Sequence, residues 1–171
     1  MKILLPILII SLLAACDLDH GIVPKPVKEP TGFSGRVTFV GAWPDSIQRT
    51  HIVIFKDPLL SVLDFNIFNL KYVSWEIPYG IKEYNYSSLD SSYIPGNGKF
   101  EPGEYSYVAV AQQKTINLSL LRRDWFVVGV YYAPGDTSKP GKLVIPDGKF
   151  VRNINITCDF DNPPPQPPGG K

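Results

Sequence analysis

A chain of 171 residues, 44% of them hydrophobic, can bury one substantial core but not comfortably two, so a single domain is expected. Seventeen prolines and fourteen glycines, spaced between short β-rich runs, argue against a helical protein and predict an all-β fold. Seventeen basic residues against sixteen acidic ones, with no basic run, argue against a nucleic-acid partner and against electrostatic adhesion to anionic lipid, since both need clustered Lys and Arg.

At the N-terminus Lys2 precedes an apolar run of about eleven residues, whereas a helix needs roughly twenty to cross a bilayer. The run therefore reads as a signal peptide over residues 1–15. Leu13-Ala14-Ala15-Cys16 resembles the lipobox of bacterial lipoproteins. That resemblance implies that Cys16 carries diacylglycerol, begins the mature chain and holds the protein to a membrane of the bacterial cell envelope. Asp17 fits an inner-membrane retention signal in some bacteria and a surface-export signal in others, so the leaflet stays open. Removal of residues 1–15 would take away Lys2 alone among the charges and leave a neutral protein. Residues 16–32 contain Pro24, Pro26 and Pro30 with no apolar period and are expected to be an extended tether.

The first predicted strand covers residues 33–40, where Phe33, Gly35, Val37 and Phe39 alternate with Ser34, Arg36 and Thr38. His51 to Phe55 is apolar on both faces and is expected to be central in a sheet. Residues 58–70 fit two readings. Asp57-Pro58 can cap a short helix through Leu59, Leu60, Val62 and Leu63, and Leu63 to Ile67 also alternates as a strand does. One or two short strands are expected around residues 83–86, and Pro95-Gly96-Asn97-Gly98 marks a turn. The densest aromatic and β-branched runs, residues 103–113 and 124–134, are expected to be neighbouring central strands with both faces covered. Residues 142–145 and 150–160 are expected to form a hairpin across Pro146-Asp147-Gly148-Lys149. Residues 161–171 carry five prolines that cannot enter a ladder, which predicts a disordered or polyproline tail. The domain proper is thus residues 33–160, a single antiparallel β-sandwich.

Ser34-Gly35-Arg36-Val37, the turn before Phe100-Glu101-Pro102-Gly103-Glu104-Tyr105, and the closing hairpin together resemble the prealbumin-like, carboxypeptidase-regulatory-like sandwich modules of bacterial surface lipoproteins. The resemblance implies a structural or binding unit. It brings no catalytic residues with it.

Enzymatic and metal chemistry lack their usual parts. The sequence has no G-x-S-x-G elbow, no phosphate-binding G-x-x-x-x-G-K, no H-E-x-x-H and no C-x-x-C. His51 stands alone at a strand start, and His20 lies in the tether. Cys158 falls on the apolar face of the last strand, as a buried free thiol does. Glu101 with Glu104 and Asp159 with Asp161 read as solvated turn charges, and Asp159, Asp161 and Asn162 lack the glycine-punctuated loop of a calcium site. Arg122-Arg123 reads as a solvated turn. No cofactor, catalytic residue or metal ligand is expected, and the ligand-binding residues are left unassigned.

Two functions then remain. The leading one is a non-enzymatic envelope lipoprotein, attached to the membrane through its lipid and contacting a protein partner. The alternative is a carbohydrate-binding module that stacks exposed rings on a polysaccharide. Its candidate aromatics are Trp43, Trp75, Tyr79, Tyr84, Tyr86, Tyr105 and Tyr107, most of which are expected in the core or at its boundary.

Overall fold

In the computed structural model, which describes residues 29–170, ten strands form an all-β, sandwich-like fold. The tether before Glu29, including Cys16 and the expected signal peptide, lies outside the described residues. The main sheet contains β1 (Gly32–Val40), β2 (Arg49–Phe55), β3 (Leu70–Val73), β4 (Glu83–Ser87), β6 (Tyr107–Gln113), β7 (Trp125–Val130) and β10 (Ile156–Asp159), in the order β3-β2-β6-β7-β10-β1-β4. The two-residue β9 (Phe150–Val151) adds to β1, and β5 (Gly103–Tyr105) pairs with β8 (Leu143–Ile145) as a second, small sheet.

The alternation in β1 does what its period predicts: Phe33, Val37 and Phe39 are buried, and Arg36 is exposed. The small sheet supplies Tyr105, Leu143 and Ile145 to the same core, which also takes Ile52, Ile54, Val108, Val110, Val128 and Cys158 from the main sheet. Phe33 sits among Phe100, Tyr72 and Tyr86 with ring centroids 4.8, 5.0 and 6.1 Å away, all edge-on. A second, smaller cluster of Phe55, Leu59, Tyr107, Ala109, Val127 and Val130 lies on the opposite, outer face. A β-bulge opposite Val110 and Ala111 allows Val127 and Val130 to face outward while Val128 points inward.

Three expectations about strands and helix are corrected. First, the sheet is mixed: β1 runs parallel to β10, with Val37 opposite Ile156 and Phe39 opposite Cys158, and parallel to β9 as well. The turn at residues 146–149 forms, with the Lys149 amide donating to Pro146 O (3.2 Å), but β8 leaves it for β5 while β9 and β10 go to β1. The closing hairpin, one of the features behind the prealbumin-like resemblance, is therefore not made. Second, residues 103–113 are two strands. The chain steps between sheets at Ser106, whose amide donates to Lys56 O (3.0 Å), so Tyr105 enters the inner core and Tyr107 the outer cluster. Third, the helix allowed at residues 58–70 is a single 3-10 turn, Val62–Asp64. Its cap is Ser61, with Asp64 accepting from the Ser61 and Leu60 amides (2.7 and 2.9 Å), and Asp57 does not cap it.

The sheet curls until its two edges meet. The Tyr72 hydroxyl on β3 donates to Ser87 O at the end of β4 (3.2 Å). Residues 88–93 fill the seam: the Val73 amide donates to Tyr93 O (2.9 Å), and the Ser92 and Tyr93 amides donate back to Val73 O. Val73 at the end of β3 and Ser87 at the end of β4 thereby have their edge-facing backbone groups engaged.

Residues 161–170 are not a free tail. Opposite its start, β7 meets β10 at only one register position, Cys158 with Gly129, which leaves the Val127 peptide without a strand on that side. The side-chain amide of Gln166 takes the place of that strand: Oε1 accepts the Val127 amide (2.8 Å) and Nε2 donates to Val127 O (2.7 Å). Arg122 then fixes the following residue by donating from Nη2 to Pro167 O (3.0 Å). Prolines cannot enter a ladder, but a glutamine between them can do so through its side chain.

Candidate functional site

The curled seam places an open cleft of about 920 Å3 beside Trp75, between the end of β3 and the turn after β4. Trp75 is held from both sides. The preceding Ser74 exchanges bonds with Ile52, donating its amide to Ile52 O and accepting the Ile52 amide on Oγ (both 2.9 Å), and its hydroxyl donates to Trp75 O (2.7 Å). Two residues later the Ile77 amide donates to Thr50 O (2.8 Å). The indole itself is 54% exposed, and its Nε1–H donates to Asp90 Oδ1 (2.6 Å) across the seam. An exposed ring is thus fixed in orientation with its one polar atom already satisfied. Leu89, Ser91, Lys99 and Asp147 line the cleft together with Glu29, Ile94 and the buried Phe100.

Of the other candidate aromatics, Tyr79 is also exposed, at 55%, and lies edge-on to Trp43, while the rest are structural. Trp43 packs against Phe39, Tyr79 and Phe160 at 4.6, 5.2 and 5.2 Å, and its indole N–H donates to Ile81 O (3.0 Å). Tyr86 and Tyr105 are buried in the inner core and Tyr107 in the outer cluster, and burial raises the hydroxyl pKa of all three, with Tyr105 pushed up to about 12. Tyr84 packs at the margin of the inner core. The aromatic residue that sequence reasoning could not separate from these is Trp75, because its partner Asp90 lies fifteen residues away in a turn-rich segment without periodicity.

A second surface lies on the outer face of the main sheet. Segments 57–69 and 114–121 both fold over that face, leaving a narrow apolar groove of about 100 Å3 with Val53 and Ala111 among its lining residues. Ile67 on one side and Leu118 and Leu120 on the other are 45%, 60% and 70% exposed. Trp125 also lines the groove, but its indole N–H is used on Ser119 O (2.8 Å).

The titratable groups are arranged for packing. His51 is buried, its Nδ1 lies 3.0 Å from Ser74 O, and its Nε2 has no partner. Donation from Nδ1 to that carbonyl describes a neutral ring, and desolvation holds its pKa below the ordinary imidazole value. The Cys158 thiol is fully buried against Gly129, and burial raises its pKa, which keeps this thiol protonated. Glu104 pairs with Lys142 (2.5 Å), and Asp159 Oδ1 accepts the Asp161 amide (3.1 Å). Arg122 departs from the solvated turn expected for it. It is 4% exposed, meets no carboxylate among the described residues, and donates to the main-chain oxygens of Trp125 and Pro167. Among the described residues no three His, Cys, Asp or Glu side chains gather as a metal site.

No protein-family model matches the chain, and no curated protein or solved structure matches it significantly.

Proposed function

We propose that this protein is a non-enzymatic lipoprotein of the bacterial cell envelope, anchored by lipid on Cys16, whose domain binds a protein partner. The observation that supports it best is the outer-face groove. Ile67, Leu118 and Leu120 stand exposed around an apolar trough, and the fold gains nothing from leaving them in water. Isolated exposed leucines are ordinary, but several converging on one concave strip are what a partner's apolar side chains cover. The non-catalytic part of the reading rests on His51, whose ring is neutral and enclosed, and on Cys158, whose thiol is sealed in the core.

The test uses the full chain in its native envelope. A photoreactive side chain at position 118 is expected to give one discrete adduct that saturates with expression level, while the same probe at Val144, exposed on β8, gives none. The adduct should be lost with Ile67→Ser plus Leu120→Ser. Equal labelling at both positions, or an adduct indifferent to those substitutions, would remove the groove as the docking surface. Cys16→Ala is expected to move the protein out of the membrane fraction and to end incorporation of labelled fatty acid; persistence of both would place the anchor elsewhere.

A further inference from the structure

We propose that the seam cleft is a second, independent binding site, and that its ligand is an uncharged oligosaccharide seated on the face of Trp75. The proposal rests on reading the chain as a binding module, but not on the outer-face groove.

Trp75 has the properties of a stacking platform. Its ring is exposed, and its backbone is tied to β2 on both sides. Its N–H is taken by Asp90, so the ring cannot swing to find another acceptor and presents only its apolar face. The electron-rich face of an indole attracts the positively polarised C–H groups that a pyranose shows on its flat side. A locked ring also loses little side-chain entropy when a ligand settles on it.

The lining supplies the other half of sugar recognition. With Oδ1 of Asp90 on the indole, Oδ2 can accept from a ligand hydroxyl, and the Ser91 hydroxyl, the Asp147 carboxylate and the Lys99 ammonium add acceptors and donors around the same cleft. A volume of about 920 Å3 is near the top of the range for small-ligand sites, roughly 300–1,000 Å3, which suits several linked rings better than one.

Charge selects within the class. Glu29, also in the lining, pairs with Arg152 at 2.8 Å and feels Lys149 as well, which leaves Asp90 and Asp147 against Lys99 among the other lining side chains. A lining without a basic excess gives uronates, sulfated glycans and phosphate-bearing polymers no electrostatic advantage over neutral hexoses or N-acetylhexosamines.

The experiment titrates the full chain in detergent with soluble neutral oligosaccharides of glucan, xylan, mannan and chitin type, and with polygalacturonate as the anionic comparison, read by calorimetry and by tryptophan fluorescence. At least one neutral oligosaccharide should saturate with a change in indole emission, and polygalacturonate should not. Trp75→Ala should weaken that binding about tenfold or more, while Trp75→Tyr, which keeps a ring, should hold it within a few-fold. Asp90→Ala, which frees the indole, should fall between them. Circular dichroism matching the parent establishes that each variant is folded. Saturation by no neutral oligosaccharide, undiminished binding in folded Trp75→Ala, or a preference for polygalacturonate would each overturn the proposal. None of these outcomes bears on the photoadduct at position 118, so the two readings fail separately.

Discussion

The two faces of the main sheet are built from the same strands and finished differently. On the inner face the small β5–β8 sheet and β1 close a core in which Phe33, Ile52, Ile54 and Tyr72 are fully buried. On the outer face the covering is two irregular segments and a proline-rich strap, and it is held largely by polar groups: Asn69 bonds to Asp57 and Asp64, Arg122 to Trp125 and Pro167, and Gln166 to Val127. The inner face is accounted for by folding alone. The outer face retains exposed apolar side chains after folding is complete, and that residue of unsatisfied surface is where a binding role has its physical basis.

The sharpest break of this contrast is a truncation inside. Phe33→Ala would remove a ring with three edge-on aromatic neighbours and leave a cavity between β1 and the segment around Phe100. A loss of about 3–5 kcal/mol is expected, a large part of a domain's total stability, read from urea denaturation midpoints at unchanged slope. A loss below about 1 kcal/mol would mean that the inner face is not the folding core described.

A smaller effect is expected at the strap. Gln166→Ala would remove both bonds that substitute for a missing strand beside Val127, with a cost of about 1–2 kcal/mol. Its signature is local: the Val127 amide should exchange faster with solvent, and cleavage after residue 162 should rise without global unfolding. Unchanged exchange at Val127 would show that the prolines hold the strap by packing alone.

His51, on the same face as Val53 and Phe55, gives the outer side a pH dependence. Its pKa is depressed in the folded state, chiefly by desolvation, so below about pH 6.5 the unfolded chain binds a proton that the folded chain resists. Stability should therefore fall as pH drops through that value and flatten once the folded-state pKa is passed. His51→Gln should reduce this slope between pH 7 and pH 5. A slope unaltered by the substitution would assign it to carboxylates.

What the sequence made legible follows the same division. Period-two alternation located β1 and β10, and continuous apolar or β-branched runs located β2, β6 and β7, because burial on a pleated surface imposes those patterns directly. The break at Ser106 was hidden: Glu104-Tyr105-Ser106-Tyr107-Val108 alternates as one strand would, and only the Lys56 carbonyl, distant in sequence, shows where the chain changes sheets. The parallel pairing of β1 with β10 and β9 was equally invisible, since a proline-glycine turn at residues 146–149 reads as a hairpin whatever partners its arms later find. Arg122 and Gln166 escaped for one reason. A buried polar side chain with main-chain partners looks, in sequence, like a solvated one. Of the binding surfaces, the aromatic excess was legible, but singling out Trp75 required the tertiary bond to Asp90.

The smallest expected effect separates function from folding most cleanly. Ile67→Ser, Leu118→Ser and Leu120→Ser each replace an exposed apolar group, so the folded state loses little burial and the unfolded state gains little solvation. Each should change stability by no more than about 0.5 kcal/mol, the range of ordinary surface substitutions. If the groove served the fold, the same changes would cost as much as other partly buried leucines do, roughly 1 kcal/mol or more, with a matching shift in the denaturation midpoint. Near-zero shifts in all three, alongside loss of the adduct at position 118 when 67 and 120 are changed, would show a strip of apolar surface that the domain does not need for itself. Near-zero shifts with the adduct intact would return the outer face to the status of incidental surface and leave the Trp75 cleft as the binding site still to be tested.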